Sequence, residues 1–596
     1  MTSQGFLFLM EKLFATTLVL ISTLLHVFGQ KHDNVWVMGY DFGTTHEDLG
    51  RTVFLFDGDT IQISQGESVI DMFKANAAIC DTEGKLLFYS NGIDIIDASH
   101  HIMEGGNDIT DVEFTLGFSG LNVLQAVLIL PMPESDSLYV LLNSPVDFDP
   151  GGLNSHIPEL SHSVIDISEN GGLGKVILKD EKLIVDTLAS GKLTAVRHAN
   201  GRDWWIPIAE RYEPNSSYHL LLLASEGITH EGMQTPGPSI DLEHGSVGNA
   251  LFSPDGYKYI RQDIRFDPWN VIDIYDFDRC TGMLTHKEHF EVNDTSFLYG
   301  GAAVSPDSRY LYVVTNKLIW QYDLLASPVE PTKTLVGEYD GFISYFSNAL
   351  FGTPQLGPDG KIYISSAVSD TVMHVINTPN QPGLASHLAQ HSINLPNLND
   401  KSIPNFPNYR LGPLDGSPCD TLGLDNHPKA GFTYFAEELA VTFSDNSYYR
   451  PEEWEWDFGD GSGSTERNPV HSYSAPGEYH VCLTVRNEID EDTYCRNIQL
   501  DTMMVVGTLE AGEVGKASVF PNPASGQFNL QFDLPGTGTV AFSLHDVAGR
   551  QVRAWDLPGG KGYFTLPLFG VAEGMYFWRV ASGGRFLGGG KVMVSK

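Results

Sequence analysis

The sequence predicts an all-β protein: a β-propeller followed by two small β-sandwiches. Three observations predict it. A unit of turn then strand returns at 52-residue intervals before residue 412. Two later blocks alternate apolar and polar positions with period two, the mark of half-buried strands. Sustained 3.6-residue periodicity is scarce beyond the N-terminus. Length agrees, since 596 residues exceed what one core serves, and 42% hydrophobic with 19% charged residues is a folding composition.

Residues 1–29 read as a secretory signal. Lys12 precedes an apolar run from Leu13 to Phe28, and Val27 and Gly29 suit cleavage before Gln30. The stretch before Lys12 is apolar and lacks a basic residue, so Met10 is an alternative start. A membrane anchor is the other reading of this run. It falls short of the ~20 residues of a span, and no other stretch reaches that length. The expected mature chain is exported and has no transmembrane anchor.

Charge narrows the partners. Lys and Arg total 36 against 75 Asp and Glu, a formal charge of -39. Nucleic acid is excluded, because neutralising phosphates needs a basic face. The acidity serves solubility outside the cell, or affinity for calcium, whose ligands are carboxylate oxygens. No cofactor is identified by motif; calcium stays open.

The propeller is expected over 30–412. Ser253-Pro254-Asp255-Gly256 leads into Tyr257-Lys258-Tyr259-Ile260, Ser305-Pro306-Asp307-Ser308 into Tyr310-Leu311-Tyr312-Val313, and Gly357-Pro358-Asp359-Gly360 into Lys361-Ile362-Tyr363-Ile364. Pro presets the first turn dihedral and Asp-Gly supplies the tight reversal; a β-branched or aromatic strand follows. Weaker copies are Asn200-Gly201 before Trp204, Ser135-Asp136 before Leu138, and Glu83-Gly84 before Leu86. One such unit cannot bury both faces, so units pack in a ring. Seven blades fit the span best, with six and eight open, and Val35-Trp36-Val37-Met38 is expected to join the final blade and close the ring. An array of two-sheet sandwiches is the structural alternative. Three stretches resemble a family of large secreted Bacteroidetes proteins: Ala77 to Asn91-Gly92, Tyr275 to Gly282, and Pro404-Asn405-Phe406-Pro407-Asn408-Tyr409-Arg410-Leu411-Gly412. The resemblance implies a propeller-like domain and no particular activity.

Residues 413–429 form a Gly, Pro, Ser and Asp-rich linker. In 430–501, Trp454, Trp456 and Phe458 share one strand face, as do Tyr479, Val481, Leu483 and Val485. The runs Trp456-Asp457-Phe458-Gly459-Asp460-Gly461 and Pro476-Gly477-Glu478-Tyr479 to Leu483 closely resemble the PKD repeat. That implies an immunoglobulin-like sandwich, used outside cells as a spacer or as a contact to protein or carbohydrate. Asp457 and Asp460 are calcium candidates, or they brace the turn through side-chain to backbone hydrogen bonds. By strand parity Cys482 lies opposite the Val481 face, and Cys495 opposite Ile498 and Leu500. Both thiols then point outward, and a cross-strand disulfide is expected. Cys80, Cys280 and Cys419 cannot be placed.

After a linker at 502–518, the block 519–596 alternates at Phe528, Leu530, Phe532 and at Val540, Phe542, Leu544. This is one more β-sandwich. It resembles the type A C-terminal sorting domain of the type IX secretion system. The matching residues are Pro521, Asn522 and Pro523 after Phe520, Gly549 in the Asp546–Arg550 turn, Gly574 and Tyr576, and Lys591 in the tail. The resemblance implies the type IX machinery as a partner, passage across the outer membrane, and a secreted or surface location in a Bacteroidetes bacterium.

No catalytic constellation is legible. The Gly-x-Ser-x-Gly elbow and the His-Glu-x-x-His helix are absent, and Gly512 to Ala517 lacks the spacing of a phosphate loop. His286 and His289 lack further ligands in sequence. His198, Trp204 and Trp205 line a channel or fill a blade core, and Asp276 and Asp278 belong to a turn leaving a strand. Two functions are carried forward. One is a non-catalytic surface or secreted binding protein with an extracellular protein or carbohydrate ligand. The other is an extracellular hydrolase or lyase whose residues converge from several blades.

Overall fold

The computed structural model describes residues 31–500 and 517–595, apart from 41–47, 59, 117–119, 149–154, 212–216, 238–246, 265–268, 294–299, 345–346, 526, 534–538, 546–550, 559–560, 569–570, 573 and 583–584. The expected signal segment lies outside the described residues. Among those described, no helix is long and apolar enough to cross a membrane.

Among the described residues seven antiparallel sheets of three or more strands follow one another from Val35 to Asp400, with a two-stranded ribbon, Ile343–Ser344 and Ser347–Asn348, before the last. Blade 1 is Val35–Tyr40, Gly50–Asp57 and Thr60–Gly66. Blade 2 is Ala77–Cys80, Leu86–Ser90 and Ile95–Asp97. Blade 3 has Val127–Pro131, Leu138–Asn143, Ser155–Asp166 and Lys175–Leu188, with the short strand Asp147–Phe148 beside it. Blades 4 to 6 are four-stranded over Val196–Gln234, Val247–Asn293 and Gly301–Glu338, and blade 7 runs from Phe351 to Asp400. First strands read as continuous apolar runs, such as Val127 to Leu130, because both their faces are covered.

The 52-residue repeat falls at one equivalent place, the corner between the first and second strands. In blade 5, Gly256 N–H donates to Ser253 O at 2.8 Å, Tyr257 N–H donates to Asp255 Oδ1 at 3.1 Å, and φ at Gly256 is 76°. Blade 6 repeats this through Ser305, Asp307 and Ser308 (φ 64°), and blade 7 through Gly357, Asp359 and Gly360 (φ 76°). Left-handed φ explains glycine at two of the three corners. Ser308 accepts that conformation and gains a bond between blades, its Oγ accepting Asp255 N–H at 3.0 Å. The weaker copies at Gly84, Asp136 and Gly201 stand at the same corner of blades 2, 3 and 4.

The ring closes differently from expectation. Val35–Tyr40 does not join the last blade; it pairs with Gly50–Asp57, its near neighbour in sequence, and so begins a blade of its own. A nearby antiparallel partner costs less loop entropy than one some 350 residues away. Closure passes instead to residues 402–410. Asn76 Nδ2 donates to Val37 O at 2.6 Å and to Ser402 Oγ at 2.9 Å, and Asn405 N–H donates to Asn76 O at 2.8 Å. This run therefore passes along the inner side of blade 1.

Residues 430–500 form two facing sheets. One holds Phe432–Glu437, Ala440–Asp445 and Val470–Ser472; the other holds Gly463–Ser464, Glu453–Asp457, Gly477–Arg486 and Glu491–Leu500. Phe432, Phe443, Trp456, Phe458, Val481, Leu483, Val485 and Ile498 fill the space between. This sandwich and the propeller belong to one compact unit, and residues from Met503 onward form a second.

In the second unit seven strands surround Phe528, Leu530, Phe542, Leu544, Trp578 and Val580. Ala517–Ser525 pairs antiparallel with Gln527–Asp533 through Phe520, then parallel with Arg585–Ser595 through Ala524. Pro521, Asn522 and Pro523 stand where it changes partner, and prolines suit that gap because they have no N–H for a ladder.

Candidate functional site

A propeller offers two ring faces and a hub. Here one face and much of the hub are taken by the chain itself. The corner of blade 7 seats the sandwich: Asp359 O accepts Asn446 Nδ2–H at 2.7 Å and Thr433 Oγ1–H at 3.2 Å. Asn380 extends the seat, donating to Asn468 Oδ1 at 3.0 Å and accepting Asp307 N–H at 3.1 Å. The Cys280–Cys419 disulfide ties the turn between the third and fourth strands of blade 5 to the 413–429 linker. The three cysteines that sequence could not place thus divide into this pair and Cys80, a buried thiol pushed up by its burial.

The hub holds residues 402–410. Asn405 Nδ2 donates to Val127 O at 3.0 Å and Leu193 O at 2.9 Å; Tyr409 OH donates to Ile129 O and Asn408 Nδ2 to Pro254 O, both at 2.7 Å. Arg410 grips Asp33 with both terminal nitrogens, at 2.7 and 2.5 Å. Between this run and blades 4 to 7 lies a cavity of about 180 Å³, bounded on the sandwich side by Asp445, Asn446, Ser447 and Tyr448. Of the acidic groups on its wall, Asp33 is held by Arg410 and Asp445 by Arg467 at 2.9 Å.

The titratable groups gather in blade 5 and beside it. Asp263 pairs with Arg261 at 2.8 Å and with Lys192 at 3.4 Å, all three side chains buried. Burial pushes the Lys192 ammonium down to about 8 despite the attraction of Asp263. Tyr218, Tyr259 and Tyr275 surround Arg261 with ring centroids 5.7–5.8 Å apart. So closed a network positions blade 5 from within.

His286 and His289 have the third partner that sequence could not supply, buried Asp273. Its Oδ1 lies 3.3 Å from His286 Nε2 and 2.8 Å from His289 Nδ1. Residues 286 and 289 have opposite strand parity. A β-bulge skipping Lys287 brings both rings to one carboxylate, His289 standing opposite Asp273 and His286 opposite Tyr275. Burial pushes the Asp273 carboxyl up, but hydrogen bonds from the two imidazoles outweigh it and hold the group below the usual carboxylate range. The residues of Met283–Asn293 carry no signal of the bulge.

The remaining predicted residues are accounted for singly. Trp204 and Trp205 are buried, Trp204 edge-on to Tyr409 in the hub and Trp205 Nε1 donating to Arg279 O at 2.8 Å. His198 Nδ1 accepts Asn200 N–H at 3.0 Å, its ring beside Trp205. Asp278 builds the turn, accepting from Cys280 N–H and Thr281 Oγ1–H, both at 2.8 Å, and Asp276 pairs with Lys287. Asp457 Oδ1 accepts Gly459 N–H at 2.9 Å; Asp460 accepts Ser462 N–H at 3.0 Å and faces His471 Nε2 at 2.7 Å. Cys482 and Cys495 stand directly opposite across two strands and are bonded, Cα atoms 4.1 Å apart. Tyr576 OH donates to Ala572 O at 2.9 Å, Gly574 begins its strand with φ of 146°, and Lys591 pairs in register with Phe577. Gly549 lies outside the described residues.

Comparison with known proteins agrees on the two C-terminal modules. Residues 432–502 match the PKD domain model, and 518–594 match the secretion system C-terminal sorting domain. Pre-pro-metalloprotease PrtV of Vibrio cholerae is 48% identical over 48 residues, 8% of this chain, and the chain spans 5% of the length of that curated relative. The solved PKD1 domain of the same metalloprotease is 38% identical, covering 13% of this chain and 99% of the domain, with a TM-score of 0.13. The periplasmic gluconolactonase PpgL of Pseudomonas aeruginosa is 13% identical, covering 72% of this chain and all of the enzyme (100%), with a TM-score of 0.30. The chain carries a PKD domain and a type IX sorting domain, and the latter directs it through the type IX machinery across the outer membrane, to the surface or the extracellular space.

Proposed function

We propose that this exported chain is a secreted or surface-held binding protein, its propeller presenting a ligand face to extracellular protein or carbohydrate and its PKD domain fixing that face at a set orientation. The occupied hub carries the reading. Enzymes built on rings of blades gather residues from several blades, whereas here residues 402–410 occupy the hub and bond to Val127 and Ile129 of blade 3 and Pro254 of blade 5. The sandwich covers the corner face, so the ends of the strands away from it are the surface left for a ligand. The covered face also argues for the PKD domain as a rigid mount, since Asn446 and Asn468 tie it to blade 7, Asn468 reaches Asp307 of blade 6, and Cys419 ties the linker before it to blade 5.

The test is a glycan array and a pull-down from the extracellular matrix with the full chain, alongside a turnover screen on polysaccharides and peptides. Saturable binding without turnover is expected. Turnover abolished by Asp273→Asn, with the fold intact, would replace binding by hydrolysis or bond elimination at blade 5.

A further inference from the structure

At the junction of blades 3 and 4 three side chains converge that neither the fold nor the reading above requires. Asp186 lies near the end of Lys175–Leu188, the outer strand of blade 3. Glu210 follows Trp204–Ala209, and His219 is the second residue of Tyr218–Ala224. Backbone bonds hold the three segments together: Ala189 N–H donates to Ala209 O at 2.9 Å, Arg211 N–H to Thr187 O at 3.0 Å, and Glu210 N–H to Ser217 O at 3.0 Å. One ligand atom from each of Asp186, Glu210 and His219 lies within 4.8 Å of the other two.

The imidazole orientation points to what belongs there. His219 Nε2 stands 3.2 Å from Glu210 Oε1 and 3.9 Å from Asp186 Oδ2, with the side chain 9% exposed. That nitrogen makes no hydrogen bond. The other, Nδ1, is 3.0 Å from His230 Nε2. When Nδ1–H donates to His230, the Nε2 lone pair is turned on the two carboxylates, the arrangement by which an outer partner orients a metal-binding histidine. In that tautomer a divalent cation is the group that satisfies the Nε2 lone pair and both carboxylates together.

Two other clusters sharpen the contrast. Asp111, Glu159 and Asp180 also converge, but the Lys182 ammonium already sits among them, 2.8 Å from Asp111 and 2.9 Å from Asp180. His480, Cys482 and Cys495 converge too, but both sulfurs are spent in the disulfide.

We propose that Asp186, Glu210 and His219 bind one divalent transition-metal ion of the zinc class, with His230 as the outer partner of His219. One imidazole and two carboxylates suit zinc and its first-row neighbours, whereas calcium and magnesium take oxygen ligands alone. The ion joins blade 3 to blade 4 at the strand end away from the Asn200–Gly201 corner, on the face the sandwich leaves open.

Zinc chloride titrated calorimetrically into the EDTA-stripped full chain, with elemental analysis of the complex, tests this. The expected result is one equivalent bound, affinity weakened by at least roughly tenfold in Asp186→Asn and in His219→Gln, and unchanged affinity in Asp111→Asn. Asp186 is half exposed, so its substitution spares the fold, and circular dichroism checks that. Absence of stoichiometric zinc in the parent chain, or parental affinity in a folded Asp186→Asn, overturns the proposal. Glycan or protein binding that fails while zinc still binds would sink the ligand-face reading and leave this site standing.

Discussion

Replacing Asp33 by asparagine tests how the ring is held shut. Asp33 precedes the first strand and Arg410 ends the hub segment, 377 residues later. Their side chains are 11% and 16% exposed, and the guanidinium meets both carboxylate oxygens. Asp33→Asn keeps the shape and one acceptor but strands the Arg410 charge among blades. Breaking a buried pair from one side costs about 3–5 kcal/mol; with one acceptor kept, about 3 kcal/mol is expected, a large share of the ~5–15 kcal/mol that holds a domain together. Urea unfolding of the full chain, followed by tryptophan fluorescence, measures it as a lower midpoint with an unchanged slope. Adding Arg410→Met to the variant removes the stranded charge and should return much of the loss. A deficit below about 0.5 kcal/mol, typical of surface substitutions, or one that vanishes in high salt as exposed pairs do, would refute the claim that this pair closes the ring.

The seat of the sandwich is sensitive at Gly360, where an added Cβ would lie 2.1 Å from Asn446 Oδ1; Gly360→Ala should speed protease cleavage within 413–429, and an unchanged cleavage rate would count against the seat. In the chain-entropy model the Cys280–Cys419 loop, 139 residues apart, contributes about 5 kcal/mol and Cys482–Cys495 about 3 kcal/mol; peptide mapping without reductant should recover both pairs, and Cys280→Ser should destabilise more than Cys482→Ser. Burial pushes His32 down to about 4 and His374 down to about 3. Both folded values lie below the ordinary 6.5, so stability is whole above pH 6.5 and falls as pH drops below it, by about 1.4 kcal/mol per unit for each ring; equal unfolding midpoints at pH 7.5 and 5.5 would contradict their burial. Asp460 is partly buried, yet hydrogen bonds from Ser462 and His471 hold its carboxyl below the usual range; Asp460→Ala should cost about 1 kcal/mol with or without calcium, and a calcium-dependent rise in melting temperature lost in Asp457→Asn would make the loop a metal site.

Much of this architecture was legible because its causes are local. Ser-Pro-Asp-Gly makes its corner wherever it stands, so the 52-residue spacing located blades 5 to 7 before any strand was seen. Parity put Cys482 and Cys495 on one face, and a turn midway between them, at Glu488 and Ile489, set them opposite each other. The order of residues from Phe520 to Lys591 was enough to identify the sorting module. Ring closure was misread, since Val35–Tyr40 looks like any blade strand and only competition with the 402–410 run decides its place. The pairing of Cys280 with Cys419, and of Asp273 with two histidines of opposite parity, depended on a long return of the chain and on a bulge that leaves no mark in the residues themselves.

The amino-acid order by itself determined the repeated corners, which rest on dihedral preferences over a few residues, and it carries the motifs by whose resemblance the two C-terminal modules, and with the second of them export, are identified. Tertiary structure alone decided what crosses the hub, which face the sandwich covers, and that Asp186, Glu210 and His219 meet. Those contacts join segments from different blades, and their geometry is set by how twisted sheets pack around a ring, a property no single stretch of sequence contains.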